Sequence, residues 1–142
     1  MSITERAQAI EDDLAFFDSW EDKYRYIIDL GKTLPEFDET KRVDDYLVRG
    51  CQSQVWIDVD ISDGLLNLKV DSDAFIVKGL LAVVIAAYQG LSPKQAIEFD
   101  IDGYFNRLEL ITHLSPTRGN GLRSMVAKIR DIALSAQQGG GV

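Results

Sequence analysis

Residues 54–70 read QVWIDVDISDGLLNLKV, and this stretch decides the fold. From Val55 to Ile61, branched apolar side chains alternate with mostly polar ones, which is the pattern of a strand with one buried face. Asp63-Gly64 is a strong two-residue turn signal, because glycine tolerates the positive φ that such turns require. The apolar alternation then resumes at Leu66, Leu68 and Val70. The stretch therefore predicts an antiparallel hairpin.

A further short strand is expected near residues 46–48, which would extend the hairpin to a meander of about three strands. Helical patterns lie on both sides of this sheet in the sequence. We therefore predict an α+β fold, in which a small antiparallel sheet packs against helices on one of its faces.

Two helices are predicted before the sheet. Ser2 and Glu5 have the spacing of a capping box, and the apolar residues that follow have a helical period over residues 3–17. Ser19 precedes acidic residues and is expected to begin a second helix, which Gly31 would end. The polar stretch from Glu36 to Arg42 then leads toward the sheet.

A long, almost wholly apolar helix is predicted after the hairpin, ending near Gln89 and forming the centre of the core. Asp71, Ser72 and Asp73 directly precede it and would supply capping oxygens. Gly79 lies inside it and costs roughly 1 kcal/mol relative to alanine. We therefore expect another element, such as the sheet, to approach the helix closely at Gly79.

The C-terminal third is expected to be helical as well. Ser92-Pro93 begins a short helix, with serine as the cap and proline at the first helical position. A segment over residues 104–110, a loop over 113–119 and a final amphipathic helix follow, the last marked by Leu122, Met125, Val126, Ile129 and Ala133. We expect one domain over residues 1–142, with 139–142 as a disordered tail.

Composition narrows the classes of function. The chain has 142 residues, a formal net charge of -8 and a pI near 4.5, which argues against nucleic-acid binding because phosphate contacts need clustered cations. No basic segment followed by an apolar run opens the chain, and its longest apolar run is about half of the roughly 20 residues needed to span a bilayer. We expect a cytoplasmic protein.

The single cysteine, Cys51, lies between Arg49-Gly50 and the polar residues Gln52, Ser53 and Gln54. Cysteine is usually buried, whereas this one is expected at a hairpin tip, so its position favours reactivity over packing. One cysteine cannot form an internal disulfide or by itself supply a zinc or iron–sulfur site. From the residues alone, a reactive thiol and an inert loop cysteine are equally good interpretations.

Three stretches together resemble the SufE family of sulfur-acceptor proteins: GCQSQVW at 50–56, DSDAFIVKGL at 71–80 and HLSPTRGNGL at 113–122. The stretches WEDKY at 20–24 and YIIDLG at 26–31 also fit, so the resemblance covers about residues 14–134. It implies an α+β fold shared with iron–sulfur scaffold proteins of the NifU kind. It also aligns Cys51 with the sulfur-accepting cysteine of the family.

The resemblance implies a non-enzymatic carrier. A pyridoxal-phosphate cysteine desulfurase of the SufS or CsdA kind would pass persulfide sulfur to Cys51. Removal of this sulfur would stimulate the desulfurase. The carrier would then deliver the sulfur to an iron–sulfur cluster assembly scaffold. The carrier itself would hold no cofactor and no metal, because the pyridoxal phosphate belongs to the desulfurase.

Only the thiolate form of Cys51 is nucleophilic, and an ordinary cysteine is ionised to just a few per cent at neutral pH. Arg49, the hydrogen-bond donors of Gln52 and Ser53, and Arg118 in the loop that resembles the family are the groups that could favour ionisation. The net charge of -8 opposes it. Arg118 is an equally good solvated or carbonyl-capping residue.

Other residues have ordinary structural interpretations beside the functional ones. Asp71 and Asp73 fit helix capping, although their turn could adjoin the cysteine loop and influence its mobility or partner docking. Trp56 could contact a partner or be covered by a terminal helix, and we favour the second. His113, the only histidine, could be a general base or a hydrogen-bonded structural residue.

Two rival functions belong to other classes. A thiol-dependent enzyme with Cys51 as nucleophile would need an ordered base, and His113 is the only histidine available for that role. A metal-binding scaffold for cluster assembly would need several cysteines or equivalent ligands, which one Cys and one His do not supply.

Overall fold

The structure, a computed structural model, describes residues 4–48, 53–114 and 116–140. Two helices come first and a hairpin lies in the middle, after two short 3-10 turns at Glu39–Lys41 and Asp44–Tyr46. The remaining helices follow the hairpin. In chain order the elements are α1 Glu5–Phe16, α2 Trp20–Lys32, β1 Val55–Ser62, β2 Leu65–Ser72, α3 Phe75–Tyr88, α4 Pro93–Glu98, α5 Ile101–Leu108, α6 Leu110–His113 and α7 Pro116–Gly140.

The predicted hairpin is confirmed. Strands β1 and β2 pair antiparallel from Val55 opposite Ser72 to Ser62 opposite Leu65. Asp63 and Gly64 form the turn with φ of 54° and 76°, the left-handed values that a tight hairpin turn requires. Sequence alternation and turn chemistry thus set the same register.

The predicted third strand is reduced to a single bridge, so the described sheet has two strands. Leu47 pairs with Trp56, but the residues before it form a 3-10 turn in which the Tyr46 N–H donates to the Val43 carbonyl at 3.0 Å. This turn leaves too little extended chain before Val48 for a strand. The α+β class is nevertheless confirmed.

Helix α3 lies at the centre of the core, as predicted. All of its residues from Gly79 to Tyr88 are buried. The inner face of the hairpin, which includes Ile57 and Leu68, belongs to the same apolar cluster, as does Ile129 of α7. Burial on several sides explains why the sequence of α3 is apolar nearly all round.

Part of the outer face of the hairpin is covered by the segment between α2 and the cysteine loop, which we call the strap (residues 36–48). Lys41 Nζ lies 2.7 Å from Asp58 Oδ2, and this hydrogen bond raises the pKa of the lysine. Arg42 Nε donates to Asp71 Oδ2 at 2.6 Å. Trp56 is buried on the same face, where the strap residue Leu47 pairs with it, and its cover by a terminal helix stays a prediction.

The predicted starts of α2 and α4 are confirmed, because Ser19 and Ser92 accept the capping hydrogen bonds and Ser92 forms a full capping box. At α1 the capping residue is Thr4 and not the predicted Ser2. The predicted loop over 113–119 is wrong, because α7 already begins at Pro116. Helix α7 also includes Gly139 and Gly140, which we expected in an unstructured tail; residues 141–142 lie outside the described part.

Helices α2 and α3 cross with their backbones in contact. Gly31 is not the end of α2, which continues to Lys32, but a buried contact residue within it. A Cβ added at Gly31 would lie 2.7 Å from the backbone nitrogen of Gly79. A Cβ added at Gly79 would overlap the carbonyl oxygen of Ile27. The close approach expected at Gly79 exists, but its partner is α2 and not the sheet.

Within the ranges described, no helix is both long enough and apolar enough to cross a membrane.

The substitution Gly79→Ala is expected to lower the free energy of unfolding by about 1–3 kcal/mol, because the new methyl group forces two packed backbones apart. Urea denaturation followed by circular dichroism measures this change. Intrinsic helix propensity alone predicts the opposite sign.

Gly119→Ala is the matched control, since an added Cβ at that helical position meets no atom within 4 Å. It should leave stability unchanged or raise it by up to roughly 1 kcal/mol. Equal effects of the two substitutions would contradict a steric contact at Gly79.

Candidate functional site

The site surrounds the cysteine loop, whose residues Arg49, Gly50, Cys51 and Gln52 lie outside the described part of the chain. Its geometry therefore rests on the residues that flank them. Val48 comes directly before them and is buried, whereas Ser53 is half-buried and Gln54 is exposed.

Both flanks of the loop are attached to the same end of the hairpin. The Val48 N–H donates to the Val55 carbonyl at 2.8 Å, and Leu47 pairs with Trp56 in an antiparallel bridge. The chain entering the loop is thus bonded to the strand that leaves it. The pairing predicted between residues 46–48 and β1 therefore exists where it is needed for the site, directly beside the cysteine loop.

Gln54 is bound to the junction between β2 and α3 through its backbone. Its N–H donates to Asp73 Oδ1 at 3.1 Å, and its carbonyl accepts from the Asp73 N–H at 3.3 Å. The same carbonyl accepts from the Ser72 hydroxyl at 2.7 Å. Three hydrogen bonds therefore fix the exit of the loop to residues 72 and 73.

The capping role predicted for Asp71 and Asp73 is wrong. Helix α3 has Ala74 as its N-cap, without a side-chain capping bond, and the Ala74 N–H donates to Ser72 Oγ at 3.3 Å. The Asp73 carboxylate binds the loop flank at Gln54 and does not cap the helix. Its turn adjoins the cysteine loop, as the functional interpretation required.

Asp71 joins three separate parts of the chain. Its carboxylate is only 9% exposed and lies 2.6 Å from Arg42 Nε of the strap and 3.5 Å from Lys78 Nζ of α3. Arg42 Nη1 also lies 3.7 Å from Glu39 Oε1. A buried carboxylate with two cationic partners ties the strap and α3 to the outer face of the hairpin.

Sequence reasoning did not identify Arg42 and Lys78 as part of this region. The available signal was strand alternation: Val70 faces the core, so Asp71 must face the opposite side and find a polar partner there. Nothing in the sequence, however, indicated that the irregular strap would supply that partner.

A recess of about 350 Å³ opens beside these residues. Its charged lining is balanced, with two cations and two carboxylates, and Phe75 forms part of its wall with 76% of its surface exposed. The lining residues are Arg42, Trp56, Asp71, Ser72, Asp73, Ala74, Phe75 and Lys78.

His113 ends α6, and its described contacts are structural. Its ring stacks on Trp20 with centroids 3.9 Å apart, and Nδ1 lies 3.0 Å from the Glu109 carbonyl oxygen. Its own carbonyl accepts from the Tyr24 hydroxyl at 2.5 Å. Within the described residues, none of these partners bonds to Gln54 or Asp73.

Arg118 lies in the first turn of α7, not in a loop, and its side chain belongs to the part that the structure does not describe. Across the described ranges, no three His, Cys, Asp or Glu side chains are grouped so that they could hold a metal ion. Of the predicted supporting residues, the structure therefore brings together Gln54 and Asp73, with Ser53 beside them in the chain.

Comparison with known families gives a match over residues 8–133 to the model named SufE, described as an Fe-S metabolism associated domain. An uncharacterized SufE-like protein of Rhizobium meliloti (strain 1021) is 46% identical over 128 residues, which cover 87% of this chain and 91% of that protein. A second, from Rhizobium etli, is 45% identical and covers 87% and 86%.

A similar fold occurs in a solved structure. The solution structure of a hypothetical protein from Thermus thermophilus matches with a TM-score of 0.78, covering 96% of this chain and 99% of that one. Its sequence identity is 18%, so the likeness concerns the fold alone.

Replacing Asp71 by asparagine is expected to lower the free energy of unfolding by about 1–3 kcal/mol. The reason is that the buried side chain loses the negative charge that pairs with Arg42 and Lys78. Chemical denaturation of both proteins at neutral pH measures the difference.

Asp29→Asn removes a carboxylate from an exposed ion pair, in which Asp29 Oδ1 lies 3.4 Å from Lys32 Nζ, and serves as the control. It should change stability by less than about 0.5 kcal/mol. If the two variants are equally stable, the Asp71 cluster does not hold the strap.

Proposed function

The chain belongs to the SufE family, which is associated with Fe-S metabolism, and on that premise we propose that it is a sulfur carrier with Cys51 as the acceptor. In this proposal a pyridoxal-phosphate cysteine desulfurase donates persulfide sulfur. The carrier then delivers it to an iron–sulfur cluster assembly scaffold.

The observation that supports this proposal best is the attachment of both loop flanks at one end of the hairpin. Val48 is bonded to Val55, and Gln54 is bonded to Asp73. Cys51 follows Val48 by three residues, and one residue spans at most about 3.5 Å of chain. The chain length therefore keeps the Cys51 thiol near the hairpin end to which both flanks are bonded. Such a position suits an acceptor cysteine that must enter the active site of another protein.

The proposed transfer needs no oxidant or reductant. The Cys51 thiolate attacks the outer sulfur of the desulfurase persulfide, so a new S–S bond forms at Cys51. The S–S bond in the desulfurase breaks, and its cysteine leaves as a thiolate. The transferred sulfur keeps its oxidation state, and the same exchange passes it onward to the scaffold.

The attacking group must be a thiolate, so positive charge or hydrogen-bond donors near Cys51 would assist. We assign these roles to Arg49 and Arg118 as cations, and to Gln52 and Ser53 as donors.

The carrier needs no cofactor of its own in this proposal, since the pyridoxal phosphate stays in the desulfurase. It accelerates the desulfurase by removing its product and is not itself an enzyme. A cytoplasmic location fits such partners.

The thiol-enzyme alternative requires a base for Cys51. His113 is the only histidine in the chain, and its described contacts are the stack on Trp20 and the bond from Nδ1 to the Glu109 carbonyl. These contacts give the imidazole a structural role, so the carrier is the better supported function.

Incubation with a pyridoxal-phosphate cysteine desulfurase and free cysteine should add one sulfur atom to the wild-type chain. The Cys51→Ser variant should gain none, because serine cannot form a persulfide. Intact-protein mass spectrometry measures the addition, and a reductant should reverse it.

Desulfurase turnover, followed as alanine release, should rise with wild type and not with Cys51→Ser. No mass gain with several desulfurases would refute the carrier. A gain that persists in the variant would place the acceptor elsewhere.

A further inference from the structure

Phe75 is an aromatic side chain that the fold leaves in solvent. It is the first residue of α3, and 76% of its surface is exposed, whereas the rest of this helix from Gly79 onward is buried. Burial of a phenylalanine ring away from water is strongly favourable in free energy, and aromatic residues are enriched in the surfaces by which proteins bind each other. The ring has no function in the core of the isolated chain.

Its position connects it to the acceptor loop. Phe75 follows Asp73 by two residues, and Asp73 is hydrogen-bonded to Gln54 at the exit of the loop. Cys51 is three residues from Gln54, so the chain steps on the two sides of this bond span less than about 20 Å. A standard protein interface covers about 800 Å² on each partner, which is roughly 30 Å across. An interface of this size that contains the thiol therefore has room for Phe75 as well.

The surroundings of the ring make it the distinctive feature of this surface. The recess beside it is lined by Arg42 and Lys78 together with two carboxylates, of which Asp71 already pairs with both cations. Charges that are satisfied within the chain offer little net attraction to a partner. On a surface whose charges are already paired, an aromatic side chain that inserts into an apolar pocket of the partner can supply the binding affinity.

We infer that Phe75 is the aromatic anchor by which this chain docks on the cysteine desulfurase, inserting into an apolar pocket near the persulfide-bearing cysteine of that enzyme. The inference rests on the proposed function and adds to it the residue that supplies affinity. Phe75 contributes to docking and not to the transfer step.

The test compares Phe75→Ala with Phe16→Ala. Phe16 is the matched control, because it is 81% exposed, also lies at a helix end, and belongs to α1. Isothermal titration calorimetry measures binding to the desulfurase, and mass spectrometry measures sulfur on Cys51 over a range of carrier concentrations. Thermal unfolding checks that both variants fold as wild type does.

Phe75→Ala should weaken binding about tenfold or more and raise the half-saturating carrier concentration equally, as loss of an interface anchor does. The amount of sulfur transferred at saturation should stay at the wild-type level. Phe16→Ala should match wild type in both measurements, and Phe75→Trp should restore most of the binding.

Binding by Phe75→Ala that equals that of wild type or Phe16→Ala would overturn the inference, as would reduced transfer at saturation with unchanged binding. If wild type itself gains no sulfur, the proposed function fails and the anchor fails with it. If wild type gains sulfur and Phe75→Ala binds normally, only the anchor is refuted.

Discussion

The backbone contact between α2 and α3 is the constraint on which the rest of the structure depends. Ile27 and Gly79 approach so closely that a single methyl group has no room between them. Because α3 is buried along most of its length, this contact sets the position of α2 against the centre of the core. Apolar burial drives the association, and the glycine determines how near the two axes come.

The position of α3 determines that of the site. Strand β2 ends at Ser72, α3 begins at Phe75, and the short junction between them bonds the exit of the cysteine loop. The strap joins the same region through Asp71, whose carboxylate is shared between Arg42 and Lys78. The flanks of the loop are thus bonded to β1 and to the junction between β2 and α3, and the strap is bonded to the same region through Asp71.

The sequence was sufficient to predict the hairpin and most of the helix starts, because their signals are local. Alternation and the Asp63-Gly64 turn predicted the hairpin, and capping residues such as Ser19 and Ser92 marked the helix starts. Gly31 was interpreted as a helix end, since a glycine that ends a helix and one that admits a neighbouring helix look alike in one sequence. The difference depends on a partner far away in the chain.

The site could be predicted only in part. Cys51 is predicted from its neighbours and from the family resemblance, and it stays a prediction, whereas Gln54 and Asp73 do meet at the loop flank. Asp71 and Asp73 were misinterpreted as caps because an aspartate before a helix serves equally as cap, ion-pair partner or loop anchor. Arg42 and Lys78 have no periodic pattern that relates them to Asp71. The exposure of Phe75 likewise depends on packing that the sequence does not encode locally.

The hairpin turn at Asp63 and Gly64 offers an attachment point for physical probes. Each strand has eight residues, so this turn lies roughly 23 Å from the end that holds the cysteine loop, at about 3.3 Å per residue. Asp63 and the turn residues beside it are exposed. A fluorophore or spin label placed at Asp63 could therefore report distances to a bound partner without occupying the surface around the thiol.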